Sequence, residues 1–167
     1  MRVGEQTDVA DYLRVFRHVG FFVPRRTEGG IVMSMISVVT GTPYYVLMDG
    51  NRRLGPNLVQ MPAGMDCMAI YGFTDKGPYE SFRLDSHLAL TPYPLVKVYL
   101  RSQIGDSPAQ LKLVVIDATG LREPILHAAT MKQVLEAHES GATHVTARYQ
   151  LIFDSEVDAY RVEDNSV

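Results

Sequence analysis

The pattern of apolar and polar residues divides the chain into an early helix followed by a series of short β-rich runs. Residues 7 to 19, "TDVADYLRVFRHV", place Val9, Leu13 and Phe16 on one stripe of a helix, which predicts an amphipathic helix. Five β-rich runs follow it, namely "FFVP", "IVMSMISVV", "YYVLM", "NLVQM" and "CMAIYGF". The segments between them carry turn residues, such as Asp49-Gly50 and "RRTEGG". We expect the last four runs to be consecutive antiparallel strands.

The pattern changes in the second half, where helices and strands alternate. "GPYE" predicts a short helix from about Pro78 to Leu84, because proline is tolerated in the first turn. "HLALTP" then predicts a strand and "YPLVKVYLRSQ" an amphipathic helix. "QLKLVVID" is apolar at nearly every position, as in a strand buried on both faces. "EPILHA" predicts a strand, and "TMKQVLEAHES" a helix that Thr130 caps and Gly141 ends.

The end of the chain predicts one long strand and a tail. Residues 142 to 154, "ATHVTARYQLIFD", alternate between apolar and polar, which predicts a half-exposed strand. It is longer than the usual ~5 to 6 residues, so we expect an unpaired edge that recruits a partner or a second copy. The acidic residues from Ser155 onward predict a flexible tail. We therefore predict a single α+β domain over residues 1–154, with a mostly antiparallel or mixed sheet and three or four helices, and a tail over 155–167.

Composition and charge narrow the classes of function. The chain has 167 residues, of which 46% are apolar and 21% charged, and this suits one globular domain. The net charge is -3, and basic residues cluster no further than Arg25-Arg26 and Arg52-Arg53, which argues against nucleic-acid binding. We see no secretory signal and no apolar run near the ~18 residues that span a bilayer. With one cysteine, we expect a cytoplasmic protein without membrane contact.

The order of several short segments resembles a bacterial family. These segments are "YLRVFRHVGFFVP", "CMAIYGFTD", "LVKVYLRS", "LKLVVIDATG" and "PILHAATMKQVLEA". They resemble the N-terminal domain of the enhanced-serine-sensitivity (SseB-type) family over about residues 10 to 140. The chain departs from that family where a Leu-Asn-Pro-Gly step is replaced by Val115-Ile116-Asp117-Ala118-Thr119-Gly120. The resemblance implies an α/β domain linked to protein interaction, and it carries over no catalytic residue.

A candidate binding site lies where "AIYGF" leads into the predicted helix. Asp75, Lys76, Tyr79 and Glu80 follow the end of one strand, and Asp117 follows the end of another. Ligands often bind at the carboxyl ends of strands, where free N–H groups of a helix start favour an anion. We add a sixth candidate contact residue, Arg148, from the exposed side of the long strand.

The interpretation that we favour for the aromatic residues of this segment is structural. Tyr71, Phe73, Tyr79 and Phe82 are then divided between the core and its rim and hold the helix against the sheet.

The residues that could bind a metal or carry out catalysis form no convincing set. Met61, Met65, Cys67 and Met68 offer sulfur ligands that suit copper(I). Strand alternation, however, sends neighbouring side chains to opposite faces, and methionine is a common core filler. The histidines show no paired ligand spacing, and no nucleotide loop or serine elbow occurs. We predict no metal, no cofactor and no catalytic residue.

We expect a non-enzymatic protein-interaction or regulatory module of a bacterial cytosolic system, whose partner is another protein or a second copy. Two alternatives remain. One is a small-molecule-binding protein or an enzyme with a pocket near Asp75 and Asp117, and the other is a structural homo-oligomer.

Overall fold

The computed structural model describes residues 25–27, 30–32, 37–59 and 66–165. The predicted helix over residues 7 to 19 and the "FFVP" strand lie outside these residues. The chain divides into two units, Met1–Ile36 and Ser37–Val167. In the first unit, β1 (Arg25–Thr27) and β2 (Gly30–Val32) pair in antiparallel fashion, so part of the predicted "RRTEGG" turn is strand.

The second unit contains the helices and the large sheet. Its described strands are β3 (Val38–Gly41), β4 (Tyr45–Asp49), β5 (Arg52–Arg53), β6 (Cys67–Phe73), β7 (Thr91–Pro94), β8 (Leu111–Ile116), β9 (Ile125–Thr130), β10 (His144–Ala147), β11 (Tyr149–Asp154) and β12 (Ala159–Asp164). Its described helices are α1 (Lys76–Ser86), α2 (Lys97–Asp106) and α3 (Met131–Ser140). None of the described helices is long and apolar enough to cross a membrane.

Eight strands form one sheet in the order β12-β11-β9-β8-β6-β4-β5, with β7 also paired to β4. β6 and β8 run parallel, and the other described pairs of this sheet are antiparallel. β3 pairs separately with β10. The predicted α+β class, with a mostly antiparallel sheet, is confirmed.

The sheet separates two hydrophobic cores. α1 contributes Tyr79 and Phe82 to one core, which also contains Leu113 of β8. α2 and α3 pack on the other core, which contains Val114 of β8. Consecutive residues of a strand point to opposite faces, so β8 is covered on both sides. The prediction of a central, doubly buried strand at "LKLVVI" is confirmed.

Several predicted turns and helix ends are also confirmed. Gly50 sits between β4 and β5 with a positive φ of 60°, a conformation that glycine adopts without steric cost. Thr130 caps α3, and Gly141 ends it in the left-handed conformation. The helix predicted at Pro78 to Leu84 is present as α1 and is longer at both ends.

The prediction of four consecutive antiparallel strands is wrong in its pairing. β3 pairs with β10, far along the chain, instead of with β4. In "NLVQM", Leu58 forms a single parallel bridge with Tyr160, and residues 60–65 lie outside the described chain. Apolar alternation defines which face of a strand is buried, but it does not select the neighbouring strand.

The boundary between the predicted "HLALTP" strand and the following helix is shifted. The strand is β7, and α2 begins only at Lys97. Pro92 and Pro94 explain this difference, because a proline disfavours the helical conformation of the residue before it.

The long strand over 142 to 154 and the flexible tail are both corrected. The strand is interrupted at Arg148, where the chain passes from β10 in the small sheet to β11 in the large one. β11 is then paired on both sides, with β9 and β12, so it offers no open edge. The predicted tail supplies β12, whose Ala159 and Tyr160 are buried.

Candidate functional site

The carboxyl ends of the parallel strands β6 and β8 meet at one edge of the sheet. Gly72 is aligned with Ile116, and the Asp117 N–H donates to the Gly72 carbonyl at 2.9 Å. The loops that carry Asp75 and Asp117 are therefore neighbours, and α1 begins at the same edge.

Asp117 clamps the end of β6. Its Oδ1 accepts from the Thr74 N–H at 2.8 Å, and its Oδ2 accepts from the Thr74 hydroxyl at 2.7 Å. Asp117 has a φ of 51°, in the left-handed region that aspartate tolerates better than most residues. Both carboxylate oxygens therefore serve to hold the two strand ends together.

Two glycines allow the backbone to lie close to the contact between Asp117 and Thr74. A Cβ on Gly72 would lie 2.4 Å from Val114 Cγ1 and 3.0 Å from Pro43 Cβ. A Cβ on Gly41 would lie 2.8 Å from Thr74 Cγ2. The segment between β3 and β4 thus packs tightly against the loop and leaves little room beside Thr74.

Two of the polar candidate residues at α1, Asp75 and Glu80, make their contacts within the helix itself. Asp75 is its N-cap, and its Oδ1 accepts from the Lys76 N–H at 2.7 Å. Lys76 is exposed. Glu80 pairs with Arg83 at 2.9 Å, one turn further along the helix, on the surface where such pairs contribute little.

The aromatic residues of the segment are core residues. Phe82 of α1 packs against Tyr71, with the ring centroids 4.7 Å apart, and against Phe73 at 5.5 Å. Tyr79, also buried, meets Tyr45 edge-on at 5.4 Å. The prediction that these rings hold the helix against the sheet is confirmed, whereas the predicted division between core and rim is wrong, because all four rings are buried in one core. Tyr79 is therefore not available as a surface contact.

Arg148 is not brought to this edge. It lies exposed between β10 and β11, and β9 separates β11 from β8. Its carbonyl accepts from the Asn165 N–H at 2.9 Å.

Sequence reasoning missed a second polar cluster around Tyr160 of β12. The buried Tyr160 hydroxyl shares its one proton between the carbonyls of Leu121 and Glu123, at 3.1 and 2.9 Å. Burial raises the pKa of Tyr160 to about 12, and the nearby Glu123 carboxylate acts in the same direction. Tyr160 and Tyr71 both line a cleft of about 240 Å³. The signal in the sequence was the polar turn "SEVD" between "LIF" and "AY", which is typical of a hairpin.

The one cysteine has the properties of a structural thiol. Burial raises the pKa of Cys67 to about 11, so the thiol is protonated at neutral pH and a poor nucleophile. Among the described residues, no group of three His, Cys, Asp or Glu side chains could hold a metal ion. Met61 and Met65 of the sulfur cluster lie outside those residues.

Exposed apolar side chains gather around β7 and the start of α2. Tyr93 is 50% exposed and Val98 72% exposed, and Tyr44 and Val96 are exposed as well. The Leu95 N–H donates to the Tyr44 carbonyl at 2.8 Å, which brings Tyr44 beside the β7–α2 junction. We call Tyr44, Tyr93, Val96 and Val98 the β7 patch.

Comparison with known proteins found no counterpart: no family model matches the chain, and neither a curated protein nor a solved structure is significantly similar to it.

Proposed function

We propose that the chain is a non-enzymatic protein-binding module and that the β7 patch is its contact surface. The observation that carries the proposal is the exposure of two tyrosines and two valines around one strand of the sheet. Tyrosine is enriched at protein interfaces, because it combines a large apolar ring with a hydroxyl that can form a hydrogen bond.

The acidic residues at the edge of β6 and β8 support binding over catalysis. Asp117 accepts from the N–H and hydroxyl of Thr74, and Asp75 caps α1. Groups that hold backbone in place are poorly suited to transfer protons or bind a substrate. The alternative of an enzyme with a pocket near Asp75 and Asp117 is therefore the weaker proposal.

The sequence of β7 restricts how a partner can bind. Pro92 and Pro94 have no N–H, so an added strand would find no donor at these positions. We expect the partner to contact side chains of the patch with an apolar surface of its own, in the way that interface anchors pack into pockets.

The cellular setting that we propose rests on the sequence alone. The SseB-type resemblance stays a prediction, and with the single cysteine it leads us to propose a bacterial cytoplasmic protein. A partner protein from that compartment is the main proposal, and a second copy is the alternative.

A binding experiment tests this function. The partner is captured from the native host, purified, and titrated against the chain by calorimetry. We expect Tyr93→Ser with Val98→Ser to weaken binding by about tenfold or more, as the loss of interface anchors does. Leu84→Ser is the matched control, because Leu84 is 76% exposed on α1 and lies outside the patch. Equal affinity of the patch variant and the wild type would contradict the proposal.

A further inference from the structure

A cleft of about 230 Å³ opens on the face of the sheet that carries α2 and α3. The end of α2, the loop into β8 and the first turn of α3 line it. Its volume is below the ~300 Å³ of the smallest drug-sized sites, so it suits a small ligand.

A buried lysine lines this cleft. Lys112 is only 7% exposed, and it points to the same face of β8 as Val114, which belongs to the α2 and α3 core. In the described part of the chain, its ammonium forms no ion pair or hydrogen bond. Its ammonium nitrogen keeps some exposure, so the cleft is what gives it access to solvent, and lysine is rarely this buried unless it is paired. An unpaired cation that faces the cleft makes the cleft attractive to an anion.

The start of α3 lines the same cleft and adds positive potential. Thr130, Met131 and Lys132 are all lining residues. The Thr130 hydroxyl accepts from the Gln133 N–H, and Gln133 Oε1 accepts from the Thr130 N–H, so a capping box fixes the direction of this helix end. The N-terminal end of a helix carries partial positive charge and attracts anions. Lys132, exposed at the rim, adds a full charge.

The rest of the lining is largely apolar. Ile104 from α2, Pro108 from the connection to β8, Leu111 at the start of β8, and Met131 from α3 form this part. A free inorganic ion would leave these side chains uncovered, whereas an apolar body would cover them and gain from burial.

We propose that this cleft binds a small organic anion that carries one phosphate or carboxylate group on a compact apolar body. Lys112, Lys132 and the first turn of α3 hold the anionic group, and the apolar lining holds the body. The site is independent of the β7 patch and of the protein partner proposed above.

Titrations with three probes test the proposal on the full chain. Phenyl phosphate carries both parts of the expected ligand, inorganic phosphate lacks the body, and benzyl alcohol lacks the charge. We expect phenyl phosphate to give saturable NMR shifts at the amides of Met131 and Lys132, with higher affinity than inorganic phosphate. Benzyl alcohol should give none that saturate. Benzoate in place of phenyl phosphate shows whether a carboxylate is preferred.

Variants separate a built site from general charge attraction. We expect Lys112→Met to lower the affinity for phenyl phosphate by about tenfold or more, as the loss of a hydrogen bond from a charged donor does. Lys97→Met removes the same charge at the other end of α2, where the lysine is exposed, and should leave the affinity unchanged. If Lys112→Met does not fold, the exposed Lys132→Met replaces it, and a weaker affinity is again expected.

Two results would overturn the proposal. One is a set of shifts spread over exposed basic residues such as Lys97, which would mean unspecific attraction. The other is unchanged affinity in Lys112→Met, which would mean that water in the cleft hydrates the ammonium and that the lysine binds no ligand.

Discussion

At the scale of single residues, the contact between Asp117 and Thr74 decides whether the carboxyl ends of β6 and β8 can bind a ligand. Carboxylates at the carboxyl ends of central strands often bind ligands. Here both of its oxygens accept from Thr74, and the residue holds a left-handed conformation. The sequence predicted that Asp117 would lie near Asp75, but it could not show that the neighbouring threonine would occupy the carboxylate.

Substitution of Asp117 measures this structural role. We expect Asp117→Ala to lower the free energy of unfolding by about 2 to 4 kcal/mol, because it removes hydrogen bonds to a charged group and leaves alanine at a positive φ. Asp117→Asn keeps one acceptor and tolerates the backbone, so a loss of about 1 kcal/mol is expected. Denaturant melts measure both. An Asp117→Ala protein as stable as the wild type would mean that the carboxylate is available for a ligand.

Tyr160 shows how a buried hydroxyl links stability to pH. Its pKa is raised to about 12 from the model-peptide value of 10.0, chiefly by burial. Burial also raises the pKa of Tyr71. The unfolded chain therefore loses these protons at lower pH than the folded chain, and the resulting stability is complete below pH ~10 and lost as pH rises toward the folded pKa.

We expect the free energy of unfolding to fall between about pH 10 and 12, and Tyr160→Phe to make that fall shallower. The variant should also lose about 1 to 2 kcal/mol at pH 7, because the carbonyls of Leu121 and Glu123 lose their donor. Urea melts at pH 7, 9, 10 and 11 measure both effects. Tyr93→Phe is the control, since Tyr93 is half exposed, and an identical alkaline slope in Tyr160→Phe and wild type would contradict this account.

At the scale of elements, α3 was the most predictable part of the chain. Thr130 and Gln133 stand at the spacing of a capping box, and Gly141 follows the last turn. These signals are local, so they need no knowledge of what the helix packs against.

The cap of α3 can be tested by itself. Thr130→Ala should lower the free energy of unfolding by about 1 kcal/mol, because the Gln133 N–H loses its acceptor. Thr130→Ser keeps the hydroxyl and should have a much smaller effect. Thermal melts in phosphate-free buffer compare the two, and equal melting temperatures for alanine and serine would mean that the cap contributes nothing.

The break between β10 and β11 was not predictable by the same reasoning. The alternation of "THVTARYQLIFD" continues through Arg148 without a glycine or proline. The two halves nevertheless pair with β3 and β9, strands about 100 and 20 residues earlier in the chain. Pairing at such separations depends on the whole packed core, which the local pattern does not contain.

At the scale of the whole molecule, the outer sides of β12 and β7 both carry features that limit further pairing. On β12, the Tyr160 N–H donates to the Asn57 carbonyl at 2.8 Å, and the Val59 N–H donates to the Tyr160 carbonyl at 2.9 Å. The segment of residues 57–59 therefore covers the start of this strand. At the opposite side, β7 pairs with β4 alone among the described strands and carries two prolines. Within residues 142 to 154, β11 is likewise paired on both sides, so that part of the segment presents no open edge.

The prolines of β7 give the last prediction, which concerns assembly. Pro92 and Pro94 lie two apart along the strand, so both nitrogens face the same side, and the ladder with β4 must lie on the other. Replacing both prolines by threonine, a residue that favours strands, adds two N–H donors to the outer edge of β7. We expect the average mass of this variant, measured by light scattering, to rise with concentration while that of the wild type stays at the monomer value.

Pro124→Thr is the matched control, because it precedes β9, which is paired on both sides by β8 and β11. If the double variant keeps the monomer mass over the full concentration range, the prolines are not what protects this edge. If the wild type itself associates, a second copy of the chain becomes the preferred partner, and Tyr93→Ser with Val98→Ser then decides whether the β7 patch forms that interface.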